Sequence, residues 1–485
     1  MPFRTRLALP VASYVVLLVS ALQTLVVPVV ADIQADLGIS TTAASWVVTA
    51  NLLAAAVLTP MLGRLGDLYG RRTVMLGVLT VVLLGSILAA TTSSLPLLLL
   101  GRVAQAASFG LFPLAIGVLR EELPPHRLTG AMAMVSGMLS VGAGLGLVIT
   151  GLLMRPGGDY HRLFWLATLL TLIGLAGAWL LTARPGAATG TIDWAGAALL
   201  GLGLVLLLLP LAEGNSWGWG SARVLGLLAG SAVVLTLFVL LERRVTHPLV
   251  STRMLSHRPI VVANAAGLYL GFSMFAVFLA VSTLVQTPPA VAGYGFGASV
   301  LATSLIYLLP GTASGVITAP LGGRLVARFG AKATLVIAAV LAGAGFAWLA
   351  VLHAATWQVI AGALAVNTAV TFGYAALPAL LIAHVEPAET GIANSVNSIA
   401  RSVGMSLGTA FVVTMTTRNP IPGPLPLPHE SQLVTVFVVS AVLAAAAATA
   451  VGLLLPRARR PRLTVAEVEA DEVLGAAGLD VPVRH

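Results

Sequence analysis

Gly63-Arg-Leu-Gly-Asp-Leu-Tyr-Gly-Arg-Arg72 and Gly323-Arg-Leu-Val-Ala-Arg-Phe-Gly-Ala-Lys332 are two versions of one short basic segment. Gly63/Gly323, Leu65/Leu325, Gly70/Gly330 and Arg72/Lys332 all stand 260 positions apart. Each copy is pinned between two apolar runs of roughly twenty residues, long enough to cross a ~30 Å hydrocarbon layer as helix. Reading outward finds about fourteen such runs, with 58% of residues apolar and 9% charged across the 485-residue chain. Runs such as Leu199–Leu211 and Leu433–Leu455 lack the alternation of a barrel strand. In lipid the backbone must satisfy its own hydrogen bonds, which leaves helices. The expected fold class is an all-α polytopic membrane protein with fourteen transmembrane helices.

A second echo supports the duplication: Thr129-Gly130 matches Thr390-Gly391, and Gly142/Gly146 matches Gly404/Gly408, at offsets of 261 to 262. With the N-terminus inside, four arginines (Arg155, Arg162, Arg223, Arg418) fall outside and Arg102 and Arg401 fall within spans. The other twenty of the 26 basic residues then lie on the cytoplasmic side. Both termini are therefore expected in the cytoplasm of a cell-membrane protein. Both basic loops lie on that side, so the repeats are parallel, as in transporters whose two halves rock about an axis normal to the membrane. The expected division is 1–185, a six-helix bundle; 186–256, two inserted helices near 194–212 and 223–241; 257–456, a second six-helix bundle; and 457–485, a cytosolic tail. Arg4 and Arg6 before an apolar run, with Val30-Ala31 after it, read as a signal anchor that is not cleaved.

Composition excludes several classes. The chain has no cysteine, hence no disulfide, thiolate metal site or cysteine nucleophile. There is no H-E-x-x-H and no G-x-x-x-x-G-K-[ST], so neither an intramembrane metalloenzyme nor ATP-driven pumping by this chain alone is expected. No soluble segment is long enough for a signalling domain. The net charge of +9 follows membrane topology, so no nucleic-acid partner is expected. The chain is read as no enzyme, without cofactor, working as a monomer on a lipophilic small molecule among membrane lipids.

The stretch 63–72 resembles the loop signature of the major facilitator superfamily, and fourteen spans resemble its drug:proton antiporter branch. Trp46-Val-Val-Thr-Ala50, Gly101-Arg-Val-Ala-Gln105, and Leu22-Gln-Thr-Leu-Val-Val-Pro28 with Ile33-Gln-Ala-Asp-Leu37 are similar to multidrug and antibiotic exporters common in actinobacteria. The resemblance implies two bundles that alternate access, export of hydrophobic drugs or antibiotics, hence antibiotic resistance, and drive by the proton gradient. It also implies that Gly63, Arg64, Asp67, Gly70, Arg71 and Arg72 latch the bundles on the cytoplasmic side in the outward-open state. A solvated basic loop is the plainer reading, but it leaves the glycine spacing and Asp67 unexplained. Three departures stand out. Ala327 replaces Asp67 in the second copy, Leu147 replaces the proline of the antiporters' fifth-helix motif, and Gln23 stands where many members carry an aspartate.

Ionisable groups inside spans are costly and therefore mark function. Asp32, near the outer end of the first span, and Arg102 in the fourth form the preferred proton-coupling pair, with Glu121 as the second acid. The competing reading has Asp32 capping a helix in water and Arg102 packed against Gln23 and Gln105. Arg401 either snorkels to the interface or faces the pathway. Polar and aromatic span residues supply the substrate-contact candidates: Gln23, Asn51, Gln105, Phe109, Asn264, Tyr269, Phe272, Phe275, Tyr307, Asn367, Tyr374, Asn394, Asn397 and Arg401. An alternative function is export or flipping of anionic metabolites or lipids, suggested by the two arginines and the missing first-span acid.

Overall fold

The computed structural model describes residues 3–26, 29–154, 159–186, 191, 193–245, 249–386, 389–421 and 427–455. The tail 457–485, the Val27-Pro28 step and much of the loops around 155–158 and 422–426 lie outside the described residues.

The apolar runs fold as helices throughout. The first eight are α1 (Phe3–Thr24), α2 (Thr41–Tyr69), α3 (Arg71–Thr91), α4 (Leu95–Glu122), α5 (Pro125–Leu153), α6 (His161–Trp179), α7 (Trp194–Trp217) and α8 (Ala222–Glu242). Six follow: α9 (Arg258–Gln286), α10 (303–329), α11 (331–351), α12 (Thr356–Ile382), α13 (Thr390–Thr417) and α14 (Glu430–Leu454). Among the described residues, thirteen helices are long and apolar enough to cross a membrane when Thr303–Val351 is counted as one. That run breaks at Gly330, which makes fourteen. Large apolar side chains such as Leu84, Trp179 and Val442 face outward, as a lipid-facing surface requires.

The repeated segment turns on one residue in each copy. Gly70 (φ 91°, ψ 131°) joins α2 to α3, and Gly330 (φ 83°, ψ 164°) joins α10 to α11. Side chains avoid this left-handed backbone, so glycine lets each hairpin reverse without a loop.

The glycine echo is one interface made twice. Any Cβ on Gly142 or Gly146 of α5 would press on the carbonyls of Leu17 and Ala21 of α1. Gly404 and Gly408 of α13 stand in the same relation to the carbonyls of Leu268 and Phe272 of α9. Hydroxyls fasten the first copy: Thr24 donates to the Ala143 carbonyl at 2.9 Å and Thr150 to the Leu25 carbonyl at 2.9 Å. Small residues thus bring backbones into contact where lipid supplies no hydrophobic drive.

The two copies also cross. Gly63 of α2 packs on Gly391 and Ser395 of α13, while Gly323 of α10 packs on Gly130 and Ala133 of α5. α7 lies against both α2 and α13 and carries α8 on its outer side. Beyond the end of α7, Trp219 donates to Thr414 at 3.0 Å, and Thr414 donates to Asn215 at 2.8 Å. The inserted pair is therefore packed against the core of the molecule and does not hang outside it.

Candidate functional site

The central feature is a cavity of about 290 Å³ where α1, α2, α4, α5, α7, α9, α10, α12 and α13 converge. Its walls are mostly apolar, with Phe109 and Phe112 on α4 and Phe275 and Phe278 on α9. Two local distortions help to shape it. Ala106–Gly110 tightens into a 3-10 turn in mid-α4, and Thr303–Leu308 widens into a π turn at the start of α10. Such irregular turns re-aim side chains and often accompany functional sites. Ser398, Ser402 and Ser406 recur every fourth residue along α13, giving one hydroxylated stripe on the wall.

Of the fourteen substrate-contact candidates, Gln23, Phe109, Phe275, Asn367, Tyr374 and Arg401 line this cavity. The rest do not, and most have packing roles instead. Asn51 donates to the Arg102 carbonyl at 2.8 Å. Gln105 accepts from Arg102 at 2.7 Å and donates to Ser86 at 2.9 Å. Asn397 donates to the Ala263 carbonyl at 2.9 Å and reaches the Asn264 side-chain oxygen at 3.3 Å. Asn394 turns back on its own helix, donating to the Thr390 carbonyl at 2.9 Å. Phe272 leans on Phe411, centroids 5.8 Å apart, and Tyr307 meets Thr356 at 3.2 Å. Tyr269 is buried on α9 away from the cavity wall. A polar residue inside a span has only to find a partner, and a neighbouring helix serves as well as a ligand.

The preferred Asp32–Arg102 pair is not formed. After α1 the chain starts a separate short helix, Val30–Leu37, and exposed Asp32 sits in its first turn, where the helix dipole favours a carboxylate. Arg102 is buried at 2% exposure, and its guanidinium donates to the Val47 carbonyl at 3.0 Å and to Gln105.

Arg401 is buried too, and it faces the cavity rather than the interface. Its guanidinium carbon lies 4.5 Å from the centroid of Phe112 and 5.1 Å from that of Tyr374. It donates to Ser398 at 2.8 Å and Asn397 at 3.4 Å, and no ion pair joins it to a carboxylate among the described residues. Gly267 and Gly271 of α9 leave the space its stem and main chain occupy. Taking an ion out of water costs several kcal/mol. A cation–π contact returns about 0.5–2 kcal/mol, whereas an opposite charge 4 Å away would contribute roughly 4 kcal/mol at an effective dielectric constant of 20.

A second cluster closes one end of the α2–α13 crossing. Asp67, with no solvent exposure, accepts from Arg71 at 2.8 Å and from the N–H groups of Gly391 and Ile392 at 3.2 Å each. Those N–H groups open α13, so the carboxylate sits at the positive end of its dipole. Arg71 also pairs with Glu121, and Arg120 donates to Thr390. Arg64 acts on both Asp67 and Glu389. Burial first, then the neighbouring Glu386, push the Glu389 carboxyl above its usual range, with Arg64 working the other way. Arg72 stays at the rim, donating to the Trp179 carbonyl at 2.7 Å and stacking 5.6 Å from its ring.

Sequence reasoning missed the aromatic clamp around Arg401 and the contribution of Leu211 and Ala212 of α7 to the cavity wall. Phe112 and Tyr374 stand on other helices, so nothing in the spacing of α13 marks the first. Nothing in the sequence of α7 marks the second.

A family model described as the Major Facilitator Superfamily matches residues 12–409, with a second match over 262–478. The tetracenomycin C resistance and export protein of Streptomyces glaucescens is 30% identical over 428 residues, which cover 86% of this chain and 76% of that protein. Multidrug resistance protein 3 of Bacillus subtilis is 28% identical over 416 residues, covering 83% and 78%. Among solved structures, the human organic anion transporter MFSD10 superposes with a TM-score of 0.61 at 17% identity, over 93% of this chain and 100% of that one, a likeness of fold alone.

Proposed function

The chain belongs to the major facilitator superfamily of multi-pass membrane transporters, and from that premise we propose that it exports hydrophobic small molecules, drugs or antibiotics among them, by proton-coupled antiport with alternating access. The observation that supports this most is the apolar cavity lying where helices of both sequence repeats meet, above a crossing closed by Asp67 on the start of α13. A closed crossing on one side and a cavity of small-molecule size are what one state of an alternating-access carrier requires. The named exporters among its relatives point the same way.

In this reading residues 1–185 and 257–456 are the rocking bundles, and 186–256 fills the side between α2 and α13. The closed end is cytoplasmic, both termini are in the cytoplasm of a cell-membrane monomer, and the proton gradient is the only energy source. No carboxylate lines the cavity among the described residues, so the coupling proton is assigned to the Asp67–Arg71–Glu121 cluster. Protonation there frees Arg71 and unlocks α13. The test is the purified protein in proteoliposomes loaded with a pH-sensitive dye, exposed to lipophilic cations, neutral antibiotics and organic anions. Compound-dependent proton flux, absent from empty liposomes, is expected. Substrate movement without proton flux would remove the antiport assignment.

A further inference from the structure

We propose that the cavity selects aromatic organic anions, planar ring systems carrying one carboxylate or similar acid, and that Arg401 is the residue that makes the selection. The proposal rests on the export reading for the direction of movement, and on the cavity alone for binding.

The first ground is charge. Among the described residues that line the cavity, Arg401 alone carries a formal charge at neutral pH; no Asp, Glu, Lys or His is among them. A guanidinium does not shed its proton in proteins, so the cavity holds one fixed positive charge. An entering cation finds no counter-charge and one like charge in a medium that screens poorly. An entering anion meets a planar fork of donors suited to two parallel hydrogen bonds.

The second ground is the unfinished state of the arginine. Its present partners are two aromatic faces, a hydroxyl and an amide, all neutral. These return less than desolvation takes. A snorkelling arginine would aim at water, but this one is held by Phe112 and Tyr374 from two other helices with its head at the wall. Arg102 is the internal contrast. It is equally buried, but it spends its donors on a carbonyl and a glutamine away from the cavity, so it offers a ligand nothing.

The third ground is the shape of the remaining wall. Phe109, Phe275 and Phe278 offer aromatic surface, and Ser398, which already accepts from Arg401 at 2.8 Å, continues as Ser402 and Ser406 along the same cavity wall. Flat aromatic surface with one acidic group uses all three features at once.

The test uses full-length protein in lipid nanodiscs, with empty nanodiscs as control, and three probes of one shape: anthracene-9-carboxylate, its neutral carboxamide, and 9-anthracenylmethylammonium. Binding is read by fluorescence anisotropy. The carboxylate should bind at least about tenfold more tightly than the ammonium, the scale expected when one partner of a desolvated charge pair is lost. Arg401→Met should erase that preference while shifting carboxamide affinity less than about threefold. Should Arg401→Met fail to fold, Ser398→Asp puts a competing carboxylate at the position whose hydroxyl now meets the guanidinium at 2.8 Å, and should erase the preference too. Equal binding of acid and ammonium, binding of none of the three, or a preference that survives both variants would overturn the proposal. In sealed vesicles the two readings separate. Anion preference without movement of any probe would defeat the export reading alone, and movement without anion preference would defeat this one alone.

Discussion

Replacing Asp67 by asparagine changes almost no volume and removes one charge from the point where α2 meets α13. The new amide would still present an oxygen to one of the two N–H groups now 3.2 Å from the carboxylate, and Arg71 would keep Glu121. A hydrogen bond to a charged group contributes about 1 kcal/mol more than a neutral one, so two of them lose about 2 kcal/mol. Loss of the charge from the helix terminus adds about 0.3–1 kcal/mol. The closed crossing should thus weaken by about 2–3 kcal/mol, a shift of roughly 30- to 140-fold in its population. The chain has no cysteine, so spin labels on Tyr69→Cys at the end of α2 and Ala383→Cys just after α12, both exposed, would be the only ones present. Pulsed dipolar spectroscopy should give one short distance in the parent and an added longer one in Asp67→Asn. An unchanged distance distribution, with a lowered melting temperature, would show that Asp67 holds the fold together and not one state of it, and the latch assignment would be lost.

Other consequences follow from the same contacts. Gly142→Ala and Gly404→Ala drive a methyl into the carbonyls of Leu17 and Leu268, and each should cost about 1–3 kcal/mol in thermal melts; Gly452→Ala, with open space around it, should be neutral or stabilising. Asp32→Asn should leave compound-dependent proton flux intact, since Asp32 is exposed and unpaired with Arg102, whereas Glu121→Gln should abolish it through loss of the Arg71 contact. Burial raises the Glu389 pKa from 4.5, so its neutral form favours the folded state, and the stability it contributes is present at low pH and lost as pH rises through the shifted value. Melts from pH 4 to 7 should therefore fall for the parent relative to Glu389→Gln, and parallel curves would refute this.

Fold and repeat were legible because they rest on local signals. Twenty-residue apolar runs have one solution in lipid, and a glycine at both 70 and 330 marks a reversal that other residues resist. The candidate site was only half legible. Span asparagines look alike in sequence whether they meet a ligand, as Asn367 on the wall is placed to do, or tie two helices together, as Asn397 does. Depth along a helix was legible for Arg401, but its direction was not, because that is set by Phe112 and Tyr374 on other helices. The Asp32–Arg102 pairing failed for a related reason. It presumed a first span that runs on without interruption, whereas the chain breaks after α1 and restarts.

The repeat then shows how one fold can be symmetric in shape and asymmetric in control. The glycine contacts occur twice: α5 on α1 and α13 on α9 within each half of the sequence, Gly63 on Gly391 and Gly323 on Gly130 between them. Contacts of that kind are short-ranged and insensitive to charge, so they guide how surfaces meet without favouring either crossing. The carboxylate occurs once. At the α5–α10 crossing Ala327 stands at the position equivalent to Asp67, so that carboxylate has no counterpart there. In the proposed reading a proton on Asp67 weakens the α2–α13 crossing, the one against which α7 also packs. In that reading the coupling acid is the latch, and the charge on the cavity wall among the described residues is one fixed cation, so proton and substrate sit on different residues. Substrate affinity, measured with the latch held open by Asp67→Asn, should then be flat across the pH range in which flux changes; an affinity that tracks flux would place the proton in the cavity after all.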